Sequence, residues 1–124
     1  MNDIEIEREI QAKGKTAARV TPADIEAAIV SEHYFTAGEG EWAAQTITVP
    51  AAERREVPQA LHLLTFCVLV LKNGFTVTGE SACVSPENFD AEIGRKVARA
   101  NALQKVWPLE GYLLRQRLSE ESGE

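Results

Sequence analysis

KNGFTVTGESACVSPENFDAEIGRKVARANALQKVWPLEGY, residues 72–112, decides the fold. Asn73-Gly74 is a strong hairpin signal, because both residues tolerate positive φ. Before it runs LHLLTFCVLVLK, residues 61–72, a mostly apolar strand; after it, Phe75–Val84 reads as the return strand. A two-residue turn sets Cys67 opposite Glu80 and Leu64 opposite Cys83. Leu64, Phe66, Val68 and Val70, with Phe75, Val77, Gly79, Ser81 and Cys83, then form the better core face. The other face carries Leu63, Thr65, Cys67, Leu69 and Leu71. Alternating leucines do not suit a solvated face, so it needs cover from a helix, a ligand or a second subunit.

Ser85-Pro86-Glu87-Asn88 reads as a helix start, with Ser85 as the cap and Pro86 in the first turn. The helix is expected over Pro86–Val106. Phe89, Ile93, Val97, Ala100 and Leu103 follow helical spacing and form the expected buried stripe. Gly94, Ala98 and Asn101 make a neighbouring stripe of small side chains that permits close backbone approach. Trp107-Pro108 interrupts the hydrogen-bond ladder, and a second helix, Leu109–Leu118, follows.

Toward the N-terminus, Ile6 and Ile10, a Glu9–Lys13 pair and Gly14 suggest a short helix over 3–13. Thr21-Pro22-Ala23-Asp24 caps a helix expected to reach Tyr34, with Ile25, Ile29, Val30 and His33 inward. Gly38 and Gly40 break helical order, so 36–60 reads as a variable loop with room for one short strand, Gln45–Val49. The expected class is therefore α+β. An antiparallel β-hairpin, in a sheet of three strands at most, packs against a long helix, with an N-terminal helix and a C-terminal helix after the Trp-Pro break. The chain is one domain, 1–124, with loosely ordered ends at 1–18 and 119–124.

The chain has 124 residues, 44% of them hydrophobic, which suffices for one core. Its net charge of −6 argues against broad DNA or RNA binding, which needs an extended basic surface. No apolar run approaches the roughly 18 residues of a membrane span. The opening MNDIEIEREIQ is charged and acidic, unlike a signal peptide. Cys67 and Cys83 are accordingly expected as reduced, unbridged thiols in a cytoplasm.

Three motifs occur in order: NGFTVTGESAC at 73–83, NFDAEIG at 88–94 and WPLEGY at 107–112. With EIEREIQAKG at 5–14 and TPADIEAAIVSEHYF at 21–35, they resemble a family of small phage and prophage proteins, the gp49/gp66-type proteins. Only about 36–60 falls outside the likeness. The resemblance implies a phage or prophage origin and expression in the cytoplasm of a bacterial host. It supplies no catalytic residues.

The chemistry-bearing residues give little support to catalysis. His62 and Cys67 point to opposite faces of one strand, and no four ligands converge as zinc requires, so neither a metal site nor a cofactor is expected. Glu80 is a carboxylate on a half-apolar face, suited to a general base, but no second catalytic group accompanies it. The Ser85–Asn88 helix start can hold an anion, yet Glu87, Asp90 and Glu92 already complement its dipole.

Arg95 and Arg99 share one helix face, and Lys96 and Lys105 extend the main basic cluster of an acidic chain. The plain reading is a solvated face paired with Glu92 or other carboxylates. The functional reading is a phosphate grip by Arg95 and Arg99, with Thr76 and Thr78 supplying hydroxyls and Trp107 stacking on a base. The expected function is non-enzymatic: binding and sequestering a small anionic ligand, such as a nucleotide signal of host defence. The alternatives are a module that inhibits or redirects a host protein, and a small hydrolase using Glu80. A homo-oligomer, most simply a dimer, is expected from the uncovered leucine face.

Overall fold

A computed structural model describes residues 2–123. Two helices lead the chain: α1, Asp3–Ala12, and α2, Pro22–Ala27. Then come strand β1, Ile29–Thr36, and helix α3, Ala37–Thr48. After two 3₁₀ turns, β2 (Leu64–Leu71) and β3 (Thr76–Ala82) form the hairpin, and α4, Ala91–Ser122, completes the chain. The sheet is antiparallel throughout, in the order β1-β2-β3, and α4 packs across β2 and β3. The α+β class, the hairpin and the long packed helix agree with the sequence reading. No helix among the described residues is long and apolar enough to cross a membrane.

The hairpin register differs from expectation by one residue. Cys67 pairs with Gly79 and Leu64 with Ala82. Leu71 pairs across the loop with Phe75, while the Gly74 N–H returns to the Leu71 carbonyl at 2.8 Å. The loop therefore has three residues and ends on Gly74 at φ 88°, the usual three-residue bulged turn. One extra loop residue flips β2 relative to β3. Thr65, Cys67, Leu69 and Leu71 now face α4 with Val77 and Gly79, and all are buried. Leu64, Phe66, Val68 and Val70 form the half-buried outer face instead. Of the helix, ligand or second subunit that the leucine face called for, the structure supplies the helix, the chain's own α4.

Gly79 decides how closely that cover sits. A Cβ there would collide with the Ala98 carbonyl and the Ala102 amide, so helix backbone lies directly on strand backbone. The buried helix stripe is Gly94, Ala98, Ala102 and Val106, the small-residue line rather than the larger one. Ile93 is 61% exposed and Val97 43%. Small side chains win this face because only they let the helix settle onto Gly79.

Three further expectations change. The helix from Pro22 ends at Ala27, and Ile29–Thr36 becomes an edge strand along β2. The Ser-Glu-His-Tyr-Phe-Thr run alternates across a sheet as well as it turns a helix, and pairing with β2 decides the matter. A bulge at Val30 turns that residue outward. Gln45–Val49 is not a strand: Thr36 and Glu39 form a capping box that starts α3, and Gly38 and Gly40 lie in its first turn. A Cβ at Gly38 would meet the exposed His62 ring, which would have to turn aside.

Finally, α4 does not break at Trp107-Pro108. Asp90, not Ser85, caps it, accepting the Ile93 N–H at 3.0 Å, and Pro86–Asn88 is only a 3₁₀ turn. Pro108 sits inside the continuous helix. It removes one bond, to the Gln104 carbonyl, and Gln104 is exposed, so solvent can satisfy that group.

Candidate functional site

Arg99 lies where three elements meet. From α4 its guanidinium reaches Glu32 on β1 at 2.7 and 3.3 Å and Glu26 on α2 at 2.7 and 3.2 Å. The Tyr34 hydroxyl donates to the same Glu32 carboxylate at 2.7 Å. The Arg99 bonds hold the Glu32 carboxyl below its ordinary range, and the two carboxylates raise the guanidinium further. Burial, then the bond to Glu32, pushes the Tyr34 hydroxyl up. This network ties α2, β1 and α4 together and leaves Arg99 little to offer a ligand.

Arg95, one turn earlier, stands differently. It is exposed and takes no part in the ion pairs among the described residues. It borders a cleft of about 140 Å³ with Thr36, Glu39, Thr65, Phe89 and Ala91. Thr36 caps α3 and Ala91 opens α4, so the N-terminal ends of both helices border the cleft, where free N–H groups and positive dipole ends gather. Two carboxylates are already engaged: Asp90 in its cap, and Glu39, which accepts the Thr36 N–H at 3.1 Å. Thr65 is 3% exposed, and its hydroxyl has no hydrogen-bond partner among the described residues. A buried hydroxyl left unpaired costs about 1–3 kcal/mol, so it marks a place where a partner group would be stabilising.

The other candidate residues do not join Arg95. Thr76 and Thr78 pair with Val70 and Val68 on the outer sheet face, with the sheet between them and α4. Glu80 lies on that face opposite Phe66, and the Thr78 hydroxyl donates to it at 3.4 Å. Trp107 lies three helical turns beyond Arg95, packed against the core, with its indole N–H on Asp3 of α1 at 3.3 Å. Both cysteines are free, and burial pushes the Cys67 thiol up. No cluster of three or more His, Cys, Asp or Glu side chains suited to a metal occurs among the described residues.

Thr65 and Glu39 are absent from the sequence-level site. The T-x-x-E box at 36–39 is a legible helix-start signal; nothing in the sequence places it beside Arg95.

A larger feature lies at the opposite end of α4. An open, mostly apolar groove of about 910 Å³ runs beneath residues 109–120, walled by Val20, Ala28, Leu71 and Phe75 on one side and Leu109 and Leu113 on the other.

No curated protein and no solved structure matches this chain. The model of the Phage protein (N4 Gp49/phage Sf6 gene 66) family matches residues 20–118, spanning β1, the hairpin, the cleft and most of α4, and the chain belongs to that family.

Proposed function

We propose that this phage-encoded protein binds and sequesters a small anionic ligand, a phosphate-bearing molecule such as a nucleotide signal of host defence, without transforming it. The observation that carries this reading is the Thr65 hydroxyl, buried without a partner among the described residues, on a residue that lines the cleft where Arg95 and the starts of α3 and α4 meet. A phosphate oxygen accepts from hydroxyl, helix N–H and guanidinium alike. The capping carboxylates offset part of the positive field, which makes Arg95 the decisive cation. The cleft takes one oxyanion group, and the remainder of the ligand lies outside it.

Calorimetry against inorganic phosphate and a panel of linear and cyclic nucleotides tests this. Arg95→Ala should remove binding, and Thr65→Val should weaken it at least tenfold, while both proteins stay folded. Arg99→Ala should bind nearly as well as the wild type, because its guanidinium is held by Glu26 and Glu32. Heat from no ligand, or equal affinity in Arg95→Ala, overturns the reading. A second reading, a module that inhibits or redirects a host protein, draws support from the apolar groove at the far end of α4. Such a partner would be insensitive to Arg95.

A further inference from the structure

The C-terminal half of α4 reaches past the surface that covers the sheet. The helix has 32 residues, roughly 48 Å at about 1.5 Å each. Strand β2 has 8, roughly 26 Å at about 3.3 Å each. The buried stripe ends at Val106, yet the apolar pattern continues through Leu109, Leu113, Leu114 and Leu118. Leu113 is 44% exposed and Tyr112 is 72% exposed, and across the groove Phe75 is 57% exposed.

We propose that this groove is filled by the same α4 segment of a second copy of the chain, the two segments lying antiparallel across a two-fold axis near Leu113. The charges on the groove's helical wall favour this occupant. Glu110 and Arg117 both line the groove and are two helical turns apart, hence on one side of the helix. An antiparallel copy about an axis between them sets Glu110 of each chain beside Arg117 of the other, twice over. The same operation lays Leu113 and Leu114 of one copy against their counterparts. A two-fold interface requires such self-complementarity, and one helix segment supplies both its apolar seam and its paired charges. Each arm would also seat against Val20 and Phe75 of the other copy. The contact lies far from the Arg95 cleft and does not depend on ligand binding there.

Sedimentation equilibrium on the full chain decides this through a charge exchange. The wild type should associate to a dimer as concentration rises. Glu110→Arg alone and Arg117→Glu alone should each weaken self-association at least tenfold, since each places like charges together at both contacts. An equimolar mixture of the two variants should recover wild-type association as a 1:1 heterodimer, and the Glu110→Arg/Arg117→Glu double variant should recover it as a homodimer. That recovery excludes loss of fold as the cause of the single-variant effects. A wild type that stays monomeric at every concentration overturns the proposal and leaves the groove for a different protein. So does a dimer that both single variants preserve, or a mixture that fails to recover association the single variants have lost.

Discussion

The two halves of α4 invert the usual relation between side-chain size and burial. Along 91–106 the inward residues are Gly94, Ala98, Ala102 and Val106, and the helix lies nearly backbone to backbone on the sheet. Along 109–122 the helix carries four leucines and a tyrosine, and much of that surface is open. The first half gains from close approach and the exclusion of water over short distances. The second half keeps large side chains because its packing partner is not a flat sheet. Size follows the distance to the opposing surface, and Pro108, which costs a helix one hydrogen bond, sits at the boundary between the two regimes.

Two glycines test that contrast most directly. Gly79→Val should cost more than about 3 kcal/mol in chemical denaturation, because the colliding atoms belong to the α4 backbone and cannot rotate away. Loss under about 1 kcal/mol would mean that the helix does not rest on the strand. Arg99→Ala comes next, at about 1–2 kcal/mol, since it frees two partly exposed carboxylates from one guanidinium. It also changes the acid limb. Glu32 titrates below its ordinary range when folded, so its contribution is full above the unfolded pKa and is lost as pH falls through the folded one. In Arg99→Ala the fall of Tm below about pH 4.5 should be shallower. Glu7, held at about 2 by Arg19 against an ordinary 4.5, should keep its own loss over that interval. An unchanged acid slope would remove Arg99 from the account. The smallest effect belongs to the distal half. Gly111→Ala has open space around the new Cβ and should stabilise α4 by about 0.5–1 kcal/mol, read as a rise in Tm.

The same contrast explains what was legible in the sequence. Asn73-Gly74 marks the hairpin plainly, but it fits loops of two or three residues, both of which put Gly74 at positive φ. The choice reverses one strand's faces, so a correct turn still gave a misplaced core. The Gly94/Ala98 line was visible as a close-approach stripe; its priority over Ile93 and Val97 depends on Gly79, which lies on another element. For the candidate site, Arg95 and Arg99 were indistinguishable as a pair on one helix. Glu26 and Glu32, 73 and 67 residues away in sequence, separate them, and only the folded chain brings those carboxylates to Arg99 and not to Arg95.

The position of α4 in the chain has a consequence for synthesis. β1, β2 and β3 all leave the ribosome before the helix that covers them. Cys67, Leu69, Leu71 and Val77 therefore stay open to solvent and to chaperones until residues 91–106 emerge. The inner face of the sheet is thus the last part of the core to be covered, once α4 is free to pack.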